Sequence, residues 1–297
     1  MNHTGTNPQN IPNKNVVAII PARFASTRLP GKALIEIAGK PMVWWVAERA
    51  LAAHNVGRVI VATDNQQIFD SVQSAGHEVV ITQINHASGT DRVAEVAAQL
   101  PNAEIIVNVQ GDEPLISPET IERAVETMIS EMTSPGAERS ATNTQGAGIV
   151  TTWEPIDSVA DVLNPALVKI VVDRDGRAIY FSRSPVPHPR DAVVSHGTLE
   201  AALRNEPSLL KQFRKHTGLY VYRREVLLEF TRWPQSDLER IEGLEQLRAL
   251  EHGVKIRAIE ASKSSTGVDT SEDLAKVRAL VDEGTFDGSL LKAEVKV

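Results

Sequence analysis

Blocks of apolar and polar residues alternate through the first half of the chain. Residues 16–20 (VVAII) form an unbroken apolar run ending at Pro21, the pattern of a strand covered on both faces. Pro41 opens MVWWVAERALAAH, which predicts a helix with proline in its first turn. A second buried strand is predicted over 59–62, a helix over 65–75 closed by Gly76, and a third strand over 79–82. Residues 90–100 place Val93, Val96, Ala97 and Leu100 on one helical face. A fourth strand is predicted at 105–109, then Gln110-Gly111-Asp112-Glu113-Pro114 and a helix from about Ser117.

Strands alternating with helices predict an α/β fold built on a doubly wound, mainly parallel sheet. Ligands of such sheets bind at the carboxyl ends of the strands, which singles out the loops at 22–32 and 110–114. Residues 130–147 are polar and turn-rich and read as an excursion. Runs at 167–172 and 177–181 flank Asp175-Gly176, a hairpin signal, and the proline- and histidine-rich stretch 184–197 predicts an irregular loop. A strand at 216–222, a helix at 238–251, a strand at 255–259 and a helix at 271–283 follow, the last capped by Thr270 or Ser271. No repeat or linker interrupts this order. The expected organisation is one domain over 15–285, between a disordered tail at 1–14 and a flexible tail at 286–297.

Composition narrows the function classes. Of 297 residues, 42% are hydrophobic and 23% charged, an ordinary globular balance, and no cysteine is present. Disulfides, thiolate catalysis and zinc–thiolate sites are therefore excluded. A net charge of −7 argues against a nucleic-acid partner. No apolar run is long enough to cross a bilayer, and residues 1–14 lack the apolar core of a signal peptide. The expectation is a cytoplasmic protein with no membrane partner.

The loop PARFASTRLPGK at 21–32 places Arg23, Arg28 and Lys32 directly after a buried strand. Fixed cations at the carboxyl edge of a parallel sheet suit a polyphosphate, although cations alone equally describe a solvated basic loop. The Walker A pattern is absent, because Ser26 stands at its first glycine and Ala33 at its Ser/Thr. Asp112, ending the fourth strand, has the chemistry of a Mg²⁺ ligand, or of a turn aspartate bonded to its own backbone. Asp269, ahead of the last helix, is a second candidate ligand or a helix cap.

Three segments, PARFASTRLPGK, NVQGDEP at 108–114 and TGVDTSEDL at 266–274, resemble the motifs of the 3-deoxy-manno-octulosonate (Kdo) cytidylyltransferases. The resemblance continues through HxSGTxR at 86–92, YFSR at 180–183, HxGxYxY at 216–222 and LEQLR at 244–248, in order over about 15–285. It implies a nucleotide-diphospho-sugar transferase fold, Rossmann-like, with a smaller mixed α/β dimerisation lobe, working as a homodimer with Mg²⁺ as cofactor. CTP and Kdo are the implied substrates and CMP-Kdo, for lipopolysaccharide synthesis, the implied product. By position, Ala22, Arg23, Arg28, Lys32, Ser88, Gly89, Arg92 and Gln110 would hold the nucleotide. Arg183, His216, Tyr220, Glu245 and Gln246 would hold the sugar, and Asp112 and Asp269 the metal. Arg23, Lys32, Asp112 and Asp269 form the implied catalytic set.

The chain departs from the family pattern in its N-terminal tail, in the excursion at 130–147, and in SPVPHPRDAVVSHG after YFSR, where a Trp-Asp-Arg-Asp run often stands. Two relatives in chemistry remain as alternatives, a CMP-sialic acid synthetase and an 8-amino-Kdo cytidylyltransferase. The first usually carries Gly-Gly-Ser-Lys-Gly in its first loop, where this chain has Phe24-Ala25-Ser26-Thr27-Arg28. A non-catalytic nucleotide-binding protein is the alternative from another class.

Overall fold

The computed structural model describes residues 15–24, 29–133 and 146–283. The chain runs β1 (Val16–Ala22), β2 (Glu36–Ile37), β3 (Lys40–Pro41), α1 (Met42–Leu51), β4 (Arg58–Thr63), α2 (Gln66–Ser74) and β5 (Glu78–Ile81). It continues through α3 (Gly89–Ala98), β6 (Ile105–Asn108), α4 (Pro118–Thr133), β7 (Ile149–Pro155), α5 (Val159–Leu163), β8 (Lys169–Val172) and β9 (Ala178–Ser182). The remaining elements are α6 (Arg190–His196), α7 (Leu199–Asn205), β10 (Arg214–Arg223), α8 (Arg224–Phe230), α9 (Asp237–Glu242), α10 (Gln246–Glu251), β11 (Ile256–Glu260) and α11 (Ser271–Asp282).

The main sheet has the order β11-β7-β10-β6-β1-β4-β5. β6, β1, β4 and β5 are parallel, as the alternating pattern predicts. β10 runs antiparallel between β6 and β7, and β11 returns parallel to β7. The β8–β9 hairpin attaches to β10 at Lys169 opposite Lys215.

Residues in β1 are apolar throughout because alternate side chains enter different cores. Val16, Ala18 and Ile20 pack with Val46, Val61 and Ile121 on one face. Val17 and Ile19 pack with Val93, Ile106 and Leu247 on the other. Each fully buried Val, Ile or Leu contributes about 1.5–3 kcal/mol, so both helical layers are held firmly. A smaller cluster of Ile156, Val162, Leu203 and Phe213 forms the core of the segment between β7 and β10.

Three expectations need correction. The helix predicted over 238–251 is two helices, α9 and α10, broken where Gly243 takes a left-handed conformation (φ 63°) that residues with a Cβ rarely adopt. The stretch 184–197 is not wholly irregular, since α6 occupies Arg190–His196. β7 has no counterpart in the pattern because three of its buried positions, Thr151, Thr152 and Glu154, are polar. Thr151 donates to the carbonyl of Leu219, and Thr152 pairs with the hydroxyl of Thr217. No helix among the described residues is long and apolar enough to cross a membrane.

Candidate active site

Two adjoining clefts open at the carboxyl ends of β1 and β6. The first, about 330 Å³, is lined by Pro21, Ala22, Arg23, Lys32, Ala33, His86, Ser88, Gly89, Arg92, Gln110, Gly111, Asp112 and Asp269. The second, about 370 Å³, includes Thr90, Glu113, His216, Gly218, Tyr220, Tyr222, Glu245 and Gln246. Gly89, Gln110, Asp112 and Asp269 border both clefts, so the two carboxylates stand at their junction.

The fold brings that pair together through backbone. Val268, fully buried against Trp45, Leu115, Leu274 and Val277, donates its N–H to the carbonyl of Asp112 over 2.8 Å. Gly111 lies so close to β1 that a Cβ there would sit 2.7 Å from the carbonyl oxygen of Pro21. Lys32 follows Gly31, whose φ of 66° turns the chain into a short 3-10 segment. Its Nζ donates to Asp112 Oδ2 (2.7 Å) and Asp269 Oδ1 (3.0 Å). The cap of α11 is Thr270, whose hydroxyl and Asp273 form a reciprocal capping box. Asp269 is therefore not the cap, and the carboxylate of Asp112 engages Lys32 as a local turn aspartate would not.

Among the described residues no cluster of three or more His, Cys, Asp and Glu could hold a metal ion. Two carboxylates converging on one cation fit Mg²⁺, which commonly takes one or two protein carboxylates and completes its shell from substrate phosphates and water.

Within the first cleft, Arg23 is exposed and Arg28 lies outside the described residues. Arg92 is buried and committed to the structure, donating to Asp64, to the hydroxyl of Thr82 and to the carbonyl of Gln83. The Ser88 hydroxyl caps α3 in a box with Asp91.

In the second cleft His216 accepts no proton at neutral pH, because burial pushes it down to about 3. The Thr151 hydroxyl donates to Leu219, so its oxygen accepts from His216 Nε2–H over 2.8 Å. Nδ1 is then the ring's acceptor. Tyr220 stacks on Tyr222 and meets the His216 ring at a tilt of 51°, and burial raises both phenols. Glu245 is raised by burial, an effect opposed by a hydrogen bond from Thr90. Gln246 is buried beside it.

Arg183 does not line either cleft. Its Nε donates to the carbonyl of Glu242 (2.7 Å), and its terminal nitrogens to Pro165 and Gly243 (3.2 and 3.3 Å). It thus braces the turn that carries Glu245. Sequence reasoning missed Thr90, Glu113, Gly218 and Tyr222 as lining residues, although all four lie inside motifs that it quoted. Glu113 is pushed up to about 7 by burial and by the neighbouring carboxylates of Asp112 and Glu154. At Gly218 a Cβ would fall 2.9 Å from Gln110 Cγ and 3.1 Å from Glu113 Oε1.

The sequence pattern of the Cytidylyltransferase family matches residues 17–256. A 3-deoxy-manno-octulosonate cytidylyltransferase of Geobacter sulfurreducens is 49% identical over 265 residues, spanning 89% of this chain and 98% of the relative. This chain belongs to the 3-deoxy-manno-octulosonate cytidylyltransferases. An enzyme of that name from Syntrophotalea carbinolica is 46% identical, again over 89% of this chain and 98% of its own. Among solved structures, a CMP:2-keto-3-deoxy-manno-octonic acid synthetase complexed with CTP superposes with a TM-score of 0.77 at 38% identity. It covers 91% of this chain and 99% of the synthetase. A putative glucose-1-phosphate thymidylyltransferase of Bacillus anthracis shares the fold at 16% identity (TM-score 0.59, 89% of this chain and 94% of that one). The family's mainly parallel α/β architecture is thus the one described above.

Proposed function

We propose that this chain transfers CMP from CTP to the anomeric hydroxyl of Kdo, giving CMP-Kdo and pyrophosphate for lipopolysaccharide synthesis, as a cytoplasmic homodimer. The observation that carries the reading is the meeting of Asp112 and Asp269 on Lys32 where the two clefts join. In this reading the first cleft takes the nucleotide and the second the sugar, so the two reacting groups meet beside the paired carboxylates. Exposed Ile179 and Val194 are candidate contacts for the second subunit.

Asp112 and Asp269 would hold Mg²⁺. When bound, that ion supplies Lewis-acid polarisation to the α-phosphate and to the sugar hydroxyl. Lys32 and Arg23, cations on the nucleotide side, would stabilise the departing pyrophosphate electrostatically, without a covalent intermediate. His216 Nδ1, Tyr220, Glu245 and Gln246 would orient the sugar by hydrogen bonds. Holding both substrates at one junction makes the attack effectively unimolecular.

The test is to incubate the purified protein with CTP, Mg²⁺ and a panel of acidic sugars, and to identify the product by mass. CMP-Kdo with equimolar pyrophosphate is expected. CMP joined only to a sialic acid or to 8-amino-Kdo would reassign the sugar, and nucleotide binding without pyrophosphate release would remove the enzymatic reading.

A further inference from the structure

His86 lines the first cleft but not the second, so it lies away from the junction where the carboxylates meet. Its neighbours on that wall are already engaged: Arg92 with Asp64, Thr82 and Gln83, and the Ser88 hydroxyl with Asp91. The His86 ring is only half engaged. Nε2 contacts Glu95 Oε2 at 2.5 Å, and Nδ1 has no hydrogen bond within the described residues.

Glu95 fixes which nitrogen carries the proton. Partial burial raises its carboxyl, but hydrogen bonds from His86 and the Gln83 N–H, with the charge of Arg92, outweigh this and hold it below the ordinary range. Glu95 is therefore an anion at neutral pH and can only accept. His86 Nε2 must donate to it, and with the ring's proton held there Nδ1 is left as the lone-pair acceptor of a side chain that lines the first cleft.

We propose that His86 Nδ1 accepts a hydrogen bond from the exocyclic amino group of cytosine and so selects CTP over UTP, with Glu95 as the positioning residue that sets the tautomer. Cytosine carries an amino donor at C4 where uracil carries a carbonyl acceptor. An acceptor in the wall rewards the first and faces a second acceptor in the other, which leaves two polar groups unpaired. The inference rests on the reading of the first cleft as the nucleotide site. It adds the group that distinguishes one pyrimidine from the other.

The experiment measures kcat/KM for CTP and for UTP at saturating acidic sugar in the wild type, His86→Leu, His86→Asn and Glu95→Gln, with thermal melts of each. His86→Leu is expected to lower kcat/KM for CTP roughly 10- to 100-fold and to leave UTP nearly unchanged. His86→Asn should keep part of the preference, because its Oδ1 accepts from about the same place. In Glu95→Gln the amide can donate to Nε2 and move the ring proton to Nδ1, so the CTP:UTP ratio should fall without loss of the ring. A merely structural role for either residue would lower both nucleotides together. Equal losses for CTP and UTP, or a ratio unchanged from wild type, would overturn the proposal. If the wild type turns over no acidic sugar, the enzymatic reading fails separately. Calorimetric affinities for CTP and UTP then carry the same comparison, with a lost preference in His86→Leu supporting the assignment and a retained one sinking it.

Discussion

The carbonyl of Asp112 accepts the backbone N–H of Val268 at 2.8 Å, tying the loop after β6 to the loop before α11. The convergence of Asp112 and Asp269 is thus built into the backbone and does not depend on Lys32 alone. This separates their chemical role from any structural one.

Asp112→Asn and Asp269→Asn are each expected to cut turnover by orders of magnitude and to move the melting temperature only slightly. The carboxylates are partly exposed (31% and 47%), so their ion pairs with Lys32 add little stability. Thr270, not Asp269, caps α11. Raised Mg²⁺ should restore part of the activity if weakened metal binding is the main defect. Near wild-type turnover of both variants at limiting Mg²⁺ would exclude the two-aspartate site.

Arg183→Ala should raise KM for the acidic sugar more than KM for CTP, and should also lower the melting temperature. Loss of the guanidinium leaves the carbonyls of Glu242, Pro165 and Gly243 without that donor, at about 1–3 kcal/mol for a buried group and less at this half-exposed turn. Arg183→Lys should recover little, because one ammonium cannot span three carbonyls as the planar fork does. Steady-state kinetics with each substrate varied in turn decide it, and equal rises in both KM values would tie Arg183 to the fold as a whole.

Gly218→Ala tests the wall between Gln110 and Glu113. The added methyl would stand 2.9 Å from Gln110 Cγ, too close to be tolerated without movement. KM for the sugar should rise roughly tenfold or more, since small displacements of positioning groups are costly. A variant with unchanged sugar kinetics would place the substrate away from this strand.

His216 makes the stability of the protein sensitive to acid. Its folded value of about 3 lies below the ordinary 6.5, so the unfolded chain binds this proton first as pH falls. The stability contribution is present above about pH 6.5 and is lost progressively as pH drops towards 3. Between pH 7 and pH 5 the expected loss is roughly 2 kcal/mol from this residue. Urea unfolding at both pH values should show a smaller difference in His216→Gln. An identical difference in the two proteins would mean that His216 is protonated in the fold.

In the parallel half of the sheet, β1, β4 and β6 were readable because strands buried on both faces carry unbroken apolar runs. The part-exposed β5, at the sheet edge, was readable from its apolar residues 79–81. β1, β4, β5 and β6 fall within a residue or two of expectation. β7 was hidden because Thr151 and Thr152 satisfy their hydroxyls across the sheet, which sequence periodicity cannot reveal. The break at Gly243 was read through because LERIEGLEQLRALE keeps a helical period and a single glycine costs a helix only about 1 kcal/mol. Asp269 stayed ambiguous between ligand and cap because both roles favour an aspartate before a helix. Arg183 shows the opposite error in kind: a cation in a recognised motif, expected at the sugar, that faces carbonyls of its own chain. Thr90, Glu113 and Tyr222 carried no local signal of a shared cleft, since only the folded sheet brings their three segments together.

The antiparallel insertion of β10 also sets how the chain can be cut. In the parallel half, β6 pairs with β1 on one side, and its other side is covered by Tyr220–Arg223 of β10. A fragment ending with α4 would possess the lining of the first cleft except Asp269 but would display Ile106 and Val107 along an unpaired strand. Such an edge is a template for pairing with another chain. The N-terminal half made alone is therefore prone to aggregation, and during synthesis the growing polypeptide carries that exposed edge until residue 223 has been added.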